Sequence, residues 1–183
     1  MYLEKKTYVK NWDTTAPEDT IKISVQVNGK DVEGINTENI SFITEQVGYW
    51  RKANQVHLWF VKNVQDGTDD CKTYEVSFNQ LKDLKAICEE VINGSVLIKG
   101  KVKTGSRINS ITGKWDDILE EGKIIEDSSL ALKLLPNVSG FFFGNEDYNE
   151  YYLKDLEHTV EIIQGLESSP NPDYASYYYN SSW

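Results

Sequence analysis

The segment GYWRKANQVHLWFV, residues 48–61, concentrates side chains that can do chemistry. Tyr49 and Trp50 offer aromatic faces on which a planar base can stack. Arg51, with Lys52 near its rim, offers positive charge for a phosphate. Asn54 and His57 offer polar edges that read donors and acceptors. In helical register Trp50, Asn54 and His57 fall one turn apart on one stripe, among apolar neighbours. A polar side chain on a buried stripe must find hydrogen-bond partners. Two readings therefore stand: Asn54 and His57 are a satisfied polar pair in the core, or they line a pocket with Trp50.

A second group of cations lies in KGKVKTGSR, residues 99–107, where Lys99, Lys101, Lys103 and Arg107 stand close together in an acidic chain. On a strand the three lysines share one face, and their mutual repulsion calls for an anionic partner or for solvent. Lys101 and Arg107 join Arg51 as candidate phosphate contacts. Asp66, Asp69 and Asp70 form an acidic cluster, but their spacing does not follow a calcium loop, and a solvated loop is the simpler reading. The pairs Asp116–Asp117 and Glu120–Glu121 read the same way. No metal site is expected, because the chain has two histidines and none of the usual partners lies four residues from His57. No catalytic residues are assigned and no cofactor is expected: the chain shows no phosphate-binding glycine loop, dinucleotide fingerprint or nucleophile elbow.

These residues need a scaffold, and 183 residues suit one domain. A net charge of −10 disfavours binding to bulk nucleic acid. No segment is long and apolar enough to span a membrane, and the first residues show no apolar signal core. Cys71 and Cys88 match no metal or redox spacing and read as free thiols, in keeping with a reducing cytoplasm.

Residues 20–27 alternate as a strand, followed by an Asn-Gly turn at 28–30. The three- and four-residue steps of Ile40, Ile43, Val47, Trp50, Asn54, His57 and Val61 predict one long helix over 39–62. Residues 71–77 read as a strand, and Ser77 with Gln80 forms a capping box for a helix running to about Ile92. Residues 95–127 read as an excursion with short elements, and 128–136 as a short helix stopped by Pro136. SGFFFG, 139–144, is a compact aromatic segment. Asp147 and Glu150 suggest a capping box for a last helix carrying Tyr152, Leu156, Val160 and Ile163 on one face. The tyrosine-rich end, 168–183, is expected to dock on the body or on a neighbouring subunit. The fold class is α+β: a single domain, 1–183, with about three main helices on a small, mostly antiparallel sheet.

VGYWRKANQVHLWFVKNVQDGTDDC, LLPNVSGFFFGNEDYNEYYLKDLEHTVEII and the closing YYNSSW resemble a family of small proteins of tailed phages and prophages. The resemblance extends over most of the chain and implies a phage origin, a host-cytoplasm setting and a compact domain in which 95–127 varies. By analogy it implies a non-enzymatic counter-defence protein that holds a small nucleotide-like signal between subunits of a homo-oligomer. Two alternatives stay open. One is a protein–protein interaction factor, virion-associated or inhibiting a host protein. The other is a phosphodiesterase-like enzyme with His57 or His158 as general base.

Overall fold

A computed structural model describes residues 1–9, 23–138, 147–169 and 175–182. The first strand, β1 (Tyr2–Tyr8), is followed by a small hairpin of β2 (Gln26–Val27) and β3 (Lys30–Asp31). Asn28 and Gly29 turn that hairpin with φ of 52° and 74°, the paired left-handed conformations that an Asn-Gly turn supplies. Of the strand predicted over 20–27, residues 23–25 do not join it and residues 20–22 lie outside the described residues.

The long helix predicted over 39–62 does not form. Its first half is a strand, β4 (Phe42–Tyr49), and α1 (Asn54–Asn63) begins only after a break. Phe42, Ile43 and Tyr49 are each 45% exposed, so the apparent apolar stripe is not a buried face. FITEQVGY is rich in β-branched and aromatic residues and pairs along its length with β1, from Tyr2↔Tyr49 to Tyr8↔Phe42. Lys52 then adopts φ of 66°, which a right-handed helix cannot pass through. The break also has a packing reason. A Cβ at Gly48 would stand 3.1 Å from Leu3 Cβ and 3.2 Å from Ile162 Cγ2, so this strand passes close to its neighbours.

Next come β5 (Tyr74–Val76) and α2 (Phe78–Gly94), which Ser77 and Gln80 cap in the reciprocal manner their spacing predicts. The excursion is a long two-stranded ribbon of β6 (Leu97–Ile108) and β7 (Trp115–Ile125). Then follow α3 (Ser129–Leu134), α4 (Glu150–Glu167) and β8 (Ala175–Asn180). SGFFFG, residues 170–174 and Trp183 lie outside the described residues.

The main sheet runs β4-β1-β8-β5, every neighbouring pair antiparallel. Together with four α-helices among the described residues this is an α+β fold. The C-terminal strand β8 is an inner strand, between β1 and β5. Tyr177 and Tyr179 are buried on the face that also carries Leu3 and Val76, and α1, α2 and α4 close over that face. The opposite face keeps Lys6, whose ammonium sits 3.7 Å from the Phe42 ring centre.

The ribbon answers the question raised by its lysines. Register places Lys101 opposite Glu121 and Arg107 opposite Asp116, and Lys103 Nζ lies 2.5 Å from Asp117 Oδ1. The adjacent strand therefore supplies counter-charges to these three, while Lys99 stands opposite Lys123. The ribbon is tied to the start of α4: Ile125 N donates to the Tyr148 carbonyl, Ile124 bridges Asn149, and Lys123 N donates to Glu150 Oε1 at 3.0 Å. The helix cap moves accordingly. Asn149, not Asp147, caps α4, and Glu150 serves the ribbon instead of a capping box.

Because β8 is an inner strand, deleting residues 175–183 removes pairing on both sides of the sheet. The truncated chain is expected to lose its cooperative thermal transition, which far-ultraviolet circular dichroism during heating checks. A sharp transition like that of the full chain would contradict this placement.

Candidate functional site

Trp50, Asn54 and His57 close the core. Trp50 is 2% exposed, and its Nε1 donates to Thr159 Oγ1 at 2.9 Å. Its ring meets Phe60, so neither face is open for stacking on a ligand. Asn54 Oδ1 accepts from Val138 N at 2.9 Å, fixing the segment after α3. His57 lies between Tyr179, whose hydroxyl is 2.6 Å from Nδ1, and Asp69, whose Oδ2 is 3.1 Å from Nε2. Asp69 is an obligate acceptor when ionised, which assigns the proton to Nε2 and leaves Nδ1 to accept from the tyrosine. Burial lowers the His57 pKa against the opposing pull of Asp69.

The carboxylate–imidazole–hydroxyl order of Asp69, His57 and Tyr179 has the connectivity of a nucleophile-activating relay. Here the hydroxyl belongs to a side chain with no exposed surface, stacked 3.8 Å from Phe60, and burial pushes its pKa up. The trio thus reads as a core hydrogen-bond network. The acidic cluster is divided in the same way: Asp69 serves His57, while Asp70 pairs with Lys72 at 2.6 Å and accepts from the Tyr74 hydroxyl. No group of three His, Cys, Asp or Glu side chains is placed to hold a metal among the described residues.

The other expected site residues separate. Tyr49 lies on the outer sheet face beside Tyr2, their ring centres 5.3 Å apart. Lys101 and Arg107 belong to the ribbon. His158 Nε2 donates to the Tyr49 carbonyl at 3.0 Å. Of the seven residues expected to bind a ligand, Arg51 alone lines the cleft described next.

That cleft, of about 190 Å³, opens between α1 and α4. The turn after β4 contributes Arg51 and Lys52, and α1 contributes Gln55. Asn137, Asp147 and Asn149 line it from the segments before α4, and Tyr151, Tyr152 and Asp155 from α4 itself. Neither Arg51 nor Lys52 has an ion-pair partner among the described residues. Asn149 is 1% exposed; its Oδ1 accepts from Tyr151 N and Tyr152 N, while its Nδ2 has no partner among the described residues. Asp155 receives Gln55 Nε2 at 3.3 Å, a long bond for an ionised group. Burial pushes its pKa up to about 6, against the smaller effects of Gln55 and His158. Tyr152 is fixed by donating its hydroxyl proton to the Leu135 carbonyl at 2.9 Å.

Gln55, Asn137, Asp147, Asn149, Tyr151, Tyr152 and Asp155 form most of this cleft, and sequence reasoning did not assign them to a site. One signal existed: Asp155 precedes Leu156 and stands one turn before Thr159, so a carboxylate borders the buried stripe of α4. Comparison of the chain with models of protein families, with curated proteins and with solved structures finds no match.

Trp50→Ala is expected to cost roughly 3–5 kcal/mol of stability, the usual cost of truncating a buried large aromatic. Chemical denaturation measures this, and a loss below about 1 kcal/mol would contradict its core role. Asp155 makes a prediction in pH. Its folded pKa is about 6, above the ordinary 3.8, so its stabilising contribution is complete below the ordinary value and is lost as pH rises through 6. Asp155→Asn does not titrate. The stability of the variant relative to the parent is therefore expected to rise by roughly 1–3 kcal/mol between pH 4 and pH 8. The titration of His57, common to both, cancels in that comparison, and a flat difference would contradict the burial of Asp155.

Proposed function

We propose that the protein is a non-enzymatic binding protein that holds a small nucleotide-like anion in the cleft between α1 and α4. The observation that carries this reading is the pair of cations, Arg51 and Lys52, that line the cleft without ion-pair partners among the described residues. A phosphate supplies the counter-charge that both cations lack. Tyr151, 48% exposed at the cleft, offers a ring for stacking that Trp50 does not. His57 and His158 both stand outside the cleft lining, which favours capture over the phosphodiesterase alternative. The phage setting, the host cytoplasm and a counter-defence role rest on the resemblance of the sequence motifs. No helix among the described residues is long and apolar enough to cross a membrane.

A second reading, a protein–protein interaction factor or a homo-oligomer, is favoured by the end of the ribbon. There Ile111 is 93% exposed, Trp115 68% and Ile108 60%. Clustered exposed apolar side chains of this kind mark contact surfaces.

The two readings are separable in one titration. Isothermal calorimetry with nucleoside monophosphates is expected to show binding that Arg51→Ala with Lys52→Ala weakens at least tenfold, on the order of 1.4 kcal/mol. Trp115→Ser leaves that binding unchanged. Equal affinity for the double variant and the parent would remove the cleft from the account.

A further inference from the structure

We propose that the base recognised in the cleft is of the 6-oxopurine type, carrying two adjacent N–H donors beside a carbonyl, as guanine does. The inference rests on the binding function proposed above and specifies its ligand. It follows from which polar atoms of the cleft remain short of partners.

The Asp155 carboxylate is one. It accepts Gln55 Nε2 at 3.3 Å and has no other side-chain donor among the described residues, although an ionised carboxylate has room for about four. Asn149 Nδ2 also lacks an acceptor among the described residues, but it has almost no accessible surface, so the carboxylate is the group a ligand in the cleft can meet. An unmade hydrogen bond on a buried group is costly, so a ligand that supplies it gains affinity and specificity together. The cleft therefore asks a planar ligand for N–H donors toward Asp155.

The pairing edges of the common bases differ in this respect. Guanine presents a carbonyl acceptor followed by two donors, a ring N–H and an exocyclic amine. Adenine presents one donor and one acceptor. Cytosine presents one donor and two acceptors, and uracil one donor between two acceptors. Guanine alone among the four offers a carboxylate two parallel N–H bonds, the fork geometry that makes such contacts strong. The cleft volume of about 190 Å³ is below the ~300 Å³ of common small-molecule sites, which suits one ring system within and the sugar phosphate at the mouth. Arg51 and Lys52 line the same cleft and supply the positive charge that the phosphate needs.

The test is calorimetric titration of the full chain at pH 7.5 with guanosine, inosine and adenosine monophosphates. The expected order is guanosine, then inosine, which lacks the exocyclic amine, then adenosine, with at least tenfold between first and last. Asp155→Asn is expected to abolish the guanosine-over-adenosine preference. Thermal melts confirm that the variant folds. Equal binding of guanosine and adenosine monophosphates, with both weakened by Arg51→Ala, overturns the base assignment and leaves the binding function standing. No binding of any of the three at millimolar concentration overturns both.

Discussion

The hydrogen bond from Trp50 Nε1 to Thr159 Oγ1, 2.9 Å long and buried, is the contact on which the cleft depends. It joins the end of β4 to the middle of α4, residues 109 positions apart in the chain. Thr159 passes the constraint on by donating its hydroxyl proton to the Asp155 carbonyl at 2.7 Å. At the other end, Trp50 exchanges backbone bonds with Met1, which fixes it to β1. Arg51 and Lys52, the next residues along, are thereby held facing the turn of α4 that carries Tyr151, Tyr152 and Asp155. The large side chain that looked suited to touching a ligand instead positions its neighbours along the cleft.

The core achieves its order with polar as well as apolar groups. Tyr179 stacks on Phe60 and hydrogen-bonds His57, which in turn reaches Asp69 in the loop after α1. Such a network is costly when incomplete and fixes one arrangement when complete. It locks the inner strand β8 to α1, so the closing residues of the chain are part of the structural centre. The ribbon follows the opposite logic. Lys101, Lys103 and Arg107 stand against carboxylates of the facing strand, and its far end is left apolar and exposed.

Local signals were legible in the sequence. The Ser77–Gln80 cap, the Asn-Gly turn and the apolar face of α4 depend on residues within a turn or two of one another, and the structure carries all three. The predicted helix over 39–62 failed because the spacing of Ile40, Ile43 and Val47 mimics a helical stripe, while the pairing of β4 with β1 is a long-range contact that no local spacing reports. Asn54 and His57 were correctly placed on a helix, but their partners, Val138, Tyr179 and Asp69, lie elsewhere in the chain and decide between core and pocket. The cleft was hidden for the same reason: its walls come from a turn, a helix start, the stretches flanking 139–146 and the first two turns of α4. Arg51 was found because it adjoins the aromatic segment; Asn149 and Asp155 become visible only once packing shows which polar atoms lack partners.

The central claim is that this cleft holds a small phosphate-bearing ligand through Arg51 and Lys52. Mass spectrometry of the small molecules released by denaturing natively purified protein tests it most directly, comparing the parent with Arg51→Ala, Lys52→Ala protein. The account predicts a nucleotide that accompanies the parent in near-stoichiometric amount and is absent from the variant. The same small-molecule profile from both proteins, or no phosphate-bearing compound from either, would contradict it.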